Sequence, residues 1–154
     1  MRWFVRLSFG AKLATILACT IVAITVTRRF DGARCVQLTS LDAVSVSIAG
    51  LARGTASFFC YRDSAGEQLR FLLARDDDGK VNGVFDACGQ CYRYHQGYTV
   101  AGRYIVCRLC GNRYPLADVH KGLASCTPVK LPVKQHGEQI QVRVADLRKG
   151  RPLF

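Results

Sequence analysis

Residues 86–115 read DACGQCYRYHQGYTVAGRYIVCRLCGNRYP and contain Cys88-x2-Cys91-x15-Cys107-x2-Cys110. Two thiolates two residues apart on a tight turn can face one centre, and a second such turn supplies two more. Four thiolates suit a tetrahedral zinc ion at metal–sulfur distances of about 2.3 Å. They equally suit a mononuclear iron or a 2Fe–2S cluster. Gly89 and Gly111 fit the tight turns, where backbone amides approach the sulfurs. Two disulfides or buried free thiols are the readings without metal, and neither needs this paired spacing. Each CxxC alone would serve a thiol–disulfide oxidoreductase, but that chemistry wants a cysteine at a helix N-terminus. The surroundings here read as β-turns.

The same region offers two further ligand candidates, Cys126 in Ser125-Cys126-Thr127-Pro128 and His95, four residues after Cys91. Cys126 is either a ligand or a buried neighbour of the site. An exposed or hydrogen-bonded imidazole is the plainer account of His95, and His120 and His136 read as turn residues. Tyr92, Tyr94, Tyr98, Tyr104 and Tyr114 crowd the cysteines and would shield a centre, tuning it through local polarity. Cys35 and Cys60 would form a disulfide if the domain lies outside the cytosol and the two meet in space.

Outside this stretch the body reads as short strands. Val44, Val46 and Ile48 alternate with polar residues, a period of two. Thr55–Arg62 and Gln68–Arg75 are apolar runs rich in Phe and Leu. Asp76-Asp77-Asp78-Gly79 joins the second run to Lys80–Phe85, and Asp-Gly between two such runs is a hairpin signal. The three aspartates lack the alternating spacing of a calcium loop. Arg103–Cys107 follows the turn Ala101-Gly102, and Ile140, Val142 and Val144 alternate after His136-Gly137. No segment after residue 30 keeps a helical period over three turns. The fold expected is mainly β: a small antiparallel β domain with Rieske-like or zinc-ribbon-like metal loops, preceded by one N-terminal transmembrane helix.

That helix is read from LATILACTIVAITVT, residues 13–27, which carries no charge and is flanked by Arg2, Arg6, Lys12, Arg28 and Arg29. The run is short against the roughly 20 residues of a full span. Trp3, Phe4, Val5 and Phe9 extend it, and arginines can snorkel to the interface. No small-residue cleavage site precedes Arg28, which favours an uncleaved anchor over a signal peptide. The organisation expected is an anchor over 1–30, a tether over 31–40 and the metal-binding domain over 41–154. The 154 residues carry a formal net charge of +11. Without any nucleic-acid motif, this reads as a solvated basic surface beside an anionic membrane.

A set of phrases then resembles one family, the FtrD-like membrane iron–sulfur proteins. It runs from about Leu69 to Phe154: Arg70-Phe71, Phe85-Asp86-Ala87-Cys88-x2-Cys91, Gly97-Tyr98, Ile105-Val106-Cys107-x2-Cys110-Gly111, Cys126-x-Pro128, Leu131-Pro132, Asp146-Leu147 and Phe154. The resemblance implies a membrane-associated protein with a bound iron–sulfur or iron centre and a link to iron uptake. One departure stands out. The family's pattern has a Gly-Gly pair before the fifth cysteine and an Asn after it, where this chain has Ala124-Ser125 and Thr127. A looser similarity is to Rieske domains, with Cys110 standing where a Rieske loop offers histidine. All-cysteine ligation should give a lower potential than a centre with two histidines.

The function expected is therefore membrane-anchored electron transfer or iron handling on the outer face of a bacterial inner membrane. Cys88, Cys91, Cys107 and Cys110 would hold the centre, and a membrane redox or iron-permease protein would be the partner. A structural zinc module and a thiol–disulfide oxidoreductase are the rivals. No paired acid and base and no evident small-molecule pocket point to an enzyme, and nothing points to nucleic acid.

Overall fold

The computed structural model describes residues 35–120 and 126–154, so the predicted N-terminal helix lies outside the described residues. Among those described, no helix is long and apolar enough to cross a membrane. The strands are β1 (Val36–Leu38), β2 (Ala43–Ser47), β3 (Thr55–Arg62), β4 (Gln68–Arg75), β5 (Val81–Cys88), β6 (Tyr98–Ala101), β7 (Tyr104–Cys107), β8 (Arg113–Pro115), β9 (Pro128–Lys130), β10 (Lys134–His136) and β11 (Gln139–Arg143). One five-residue helix follows, α1 (Val144–Arg148).

The strands form three sheets, in the orders β1-β3-β4-β5-β9, β10-β11-β2 and β6-β7-β8. The predicted hairpin is present. Arg75 pairs with Val81, Gly79 has φ of 91°, and the Asp76 side chain accepts the Lys80 backbone N–H at 2.8 Å. The predicted alternation at Val44 and Val46 builds β2, which pairs with β11. Val144, expected to continue that last strand, instead opens α1.

The long sheet is a middle layer. Along β4, Leu69, Phe71 and Leu73 enter one core with Val44, Val46, Ile140, Val142 and Leu147. Leu72 and Ala74 enter the other, with Tyr98, Ile105, Tyr114 and the cysteines. A strand buried on both faces reads as a continuous apolar run, which is why Gln68–Arg75 lacks polar alternation. The strand β5 divides the same way: Phe85 and Ala87 face the first core, Val84 and Cys88 the second.

Two features lie outside the expected pattern. Residues 36–38 fall within the predicted tether of 31–40, yet they form β1, and Cys35 is disulfide-bonded to Cys60 of β3. Three residues are too few to show a period, which is why the strand is not legible in sequence. The pairing of β1 with β3 is also parallel, in a fold otherwise paired antiparallel among the described residues.

Candidate metal centre

The first CxxC begins at the end of β5. Cys88 is its last residue and Cys91 precedes a single 3-10 turn over Tyr92–Tyr94. The second begins at the end of β7, with Cys107 its last residue and Cys110 in the tight turn before β8. Gly111, at φ 73°, closes that turn, and its N–H donates to the Cys107 carbonyl at 2.9 Å. The Arg108 N–H donates to the Gly97 carbonyl at 3.0 Å, tying the second loop to the end of the first.

A third segment enters from β9. Cys88 and Pro128 are register partners, and the Gly89 N–H donates to the Thr127 carbonyl at 3.0 Å. This pairing carries Cys126 into the cluster. Its sulfur is paired with that of Cys88 as a disulfide and lies 3.7 Å from that of Cys91 and 3.4 Å from that of Cys110. The sulfurs of Cys88, Cys91, Cys107 and Cys126 all lie within 4.8 Å of one another. Cys88, Cys107 and Cys126 are buried, Cys91 is half-buried and Cys110 is exposed. Five cysteine sulfurs therefore converge, not four, with Cys91, Cys107 and Cys110 as free thiols. His95 is not among them: it is exposed, holds a left-handed φ of 52°, and its carbonyl accepts from Arg70.

Burial opposes ionisation at both Cys91 and Cys110, with opposite net results. Burial foremost, then the neighbouring thiols, pushes the Cys91 thiol up to about 11. Burial acts against ionisation at Cys110 too. There the backbone N–H of Asn112, the Cys107 and Cys91 thiols and its own N–H outweigh it and hold the thiol below its usual value. Asp86, on the cysteine side of β5, is pushed up by burial to about 6, against the opposing hydrogen bond from the Tyr98 N–H at 2.6 Å. The same carboxylate fills the space beside Gly97, whose φ of 64° and lack of a Cβ let the loop pass.

Two tyrosines wall the cluster in an edge-to-face pair with ring centres 6.0 Å apart. The Tyr114 hydroxyl donates to the Cys126 carbonyl. Tyr98 stands directly across from Cys107 in the β6–β7 ladder and is fully buried, and its hydroxyl has no hydrogen-bond partner among the described residues. A donor left unpaired costs about 1–3 kcal/mol. Soft sulfur donors gathered at one largely buried point fit a thiolate-bound metal or an iron–sulfur cluster.

A β domain whose loops gather cysteines at one buried point belongs to the class of small thiolate-site domains. Residues 51–154 match the family described as membrane iron-sulfur containing protein, FtrD-like, and the chain belongs to that family. No curated protein matches the chain significantly. Among solved structures, the ferredoxin of carbazole 1,9a-dioxygenase from Nocardioides aromaticivorans aligns at 21% identity and TM-score 0.42, over 67% of this chain and 97% of that one. The quaternary ammonium Rieske monooxygenase CntA aligns at 16% identity and TM-score 0.42, over 70% of this chain; this chain spans only 31% of its length. Likeness at that level carries no argument about chemistry.

Proposed function

We propose that this chain is a membrane-tethered iron–sulfur protein that carries electrons in iron uptake, with its β domain on the outer face of a bacterial inner membrane. The observation that carries the reading is the convergence of thiols from the two CxxC loops and Cys126 at one buried point, in a chain of the FtrD-like family. The ligands come from Cys88, Cys91, Cys107, Cys110 and Cys126.

The cluster supplies one-electron chemistry when bound. The chain's own residues do the rest. The loops present sulfurs from strand ends that the sheet ladders hold in place. Leu72, Val84, Ile105, Leu116 and the two tyrosines exclude water. The exposed Cys110 and Leu109 mark the edge nearest to solvent, where a partner would approach. The Cys35–Cys60 disulfide supports the outer-face placement, because disulfides persist in oxidising compartments. The uncharged apolar stretch at 13–27, with basic residues on both flanks, supports the tether over residues 1–30.

The test is iron and acid-labile sulfide content of the full chain, purified in detergent without oxygen, with its absorption spectrum. Iron with matching sulfide and visible charge-transfer bands is expected. Iron without sulfide would replace the cluster by a mononuclear site. Zinc and no colour would replace the electron carrier by a structural module.

A further inference from the structure

Five cysteines for four ligand positions leave one over once the Cys88–Cys126 pair is reduced, and the paired spacing of the sequence would leave out Cys126. We infer the opposite: Cys88, Cys91, Cys107 and Cys126 hold the centre, and Cys110 is a free thiol at its rim. The inference rests on the metal reading above.

Three observations carry it. The first is mutual distance. The four sulfurs named lie within 4.8 Å of one another, a set that leaves out Cys110. Cys126 lies 3.7 Å from Cys91; Cys110 lies 3.4 Å from Cys126 but falls outside the mutual set. The second is burial. Cys126 is 9% exposed and grouped with Cys88 and Cys107 in the core beneath the loops, whereas Cys110 faces solvent. A thiolate centre is best insulated when its ligands are the buried ones.

The third is how firmly Cys126 is held. Its carbonyl receives the Tyr114 hydroxyl, the next carbonyl receives the Gly89 N–H, and Pro128 is in register with Cys88. Tyr114 is 1% exposed and anchored in β8, so the second loop's own strand helps to position the third segment. Thr127, one of the positions where the chain departs from the family pattern, takes part through its backbone carbonyl. Exposed Arg108 and Leu109 flank Cys110, so its thiol is reachable without disturbing the core.

The experiment is alkylation of the full chain, metal-loaded and anaerobic, with iodoacetamide, followed by peptide mapping and a spectrum of the same sample. Cys110 should be modified with the spectrum unchanged, and Cys126 only after a chelator strips the metal. In parallel, Cys110→Ser should retain wild-type iron and sulfide, while Cys126→Ser should lose most of its iron or shift the charge-transfer bands. Protection of Cys110, or a Cys110→Ser protein that loses iron as fully as Cys126→Ser, would overturn the inference. If Cys126→Ser fails to fold, the protection pattern of the wild-type chain decides. Zinc with the same protection pattern would support the ligand set while removing the electron-carrier role. Wild-type chain without metal would remove both.

Discussion

On one face of β4, Leu69, Phe71 and Leu73 enter a core closed by the hydrocarbon of β2, β11 and α1. On the other, Leu72 and Ala74 share their core with Cys88, Cys107, Cys126 and two buried tyrosines. The first face has what an ordinary core needs: matched apolar surfaces from two sheets, with Arg75 bridging them through the Ile48 and Leu51 carbonyls at 3.2 and 3.0 Å. The second is covered by the short strands of β6–β8, with buried cysteines at the strand ends. Burying apolar surface is self-sufficient. Gathering thiols is not, because close thiolates repel and need a cation between them. The contrast teaches that one sheet can carry a structural half and a conditional half.

The largest expected effect separates the halves. Stripping the metal, or replacing Cys107 by Ser, should collapse amide protection across residues 98–116 while β3 and β4 keep theirs. Hydrogen exchange by mass spectrometry reads this. Structural thiolate sites hold their domains by apparent energies on the order of 10 kcal/mol. Equal loss on both sides would show that the middle sheet does not insulate them.

Next comes a pair of neighbours that point opposite ways. Leu72 and Leu73 are both fully buried, so replacing either by Ala should cost about 2–5 kcal/mol in urea unfolding. Only Leu72→Ala should also alter the visible spectrum or the metal affinity. If Leu73→Ala alters them equally, the faces communicate.

A smaller effect concerns the hydroxyl of Tyr98. Without metal it is a buried donor with no described partner, so Tyr98→Phe should stabilise the metal-free protein by about 1 kcal/mol. A hydroxyl that donates to sulfur in the loaded protein raises the potential, so its loss should lower the midpoint potential at constant iron content. An unchanged potential would leave Tyr98 as packing alone.

The smallest belongs to the apolar half. Asp146 is held below the usual carboxylate range by Lys149 and Arg143, each 2.7 Å away. A lowered carboxyl contributes stability that is complete above its ordinary value of 3.8 and fades as pH falls through the folded value. Asp146→Asn should flatten the acid limb of a stability–pH curve below about pH 4 and leave the spectrum at neutral pH untouched.

Where the chain is long and locally punctuated, the sequence was readable. The runs Thr55–Arg62 and Gln68–Arg75 became β3 and β4 with those bounds, because Asp76–Gly79 supplies a turn and the runs are too long to be loops. The paired CxxC motifs announce their own geometry. What stayed hidden depends on distant pairing. β9 meets β5 across some forty residues, and nothing near Cys126 in sequence says that this strand delivers a thiol to the first loop. His95 looked eligible by spacing, but spacing does not reveal that its backbone turns left-handed and leaves it outside the cluster.

β5 shows what kinds of sequence change such a domain tolerates. Val84 and Cys88 face the sulfur side, while Phe85 and Ala87 face the hydrocarbon side. Adding or deleting one residue between Val84 and Cys88 would exchange the two sides, putting a thiol among Phe59 and Phe71 and an aromatic ring against the cluster. Relatives that keep the centre should therefore vary that interval by even numbers or not at all, and take their odd-length insertions in the turns.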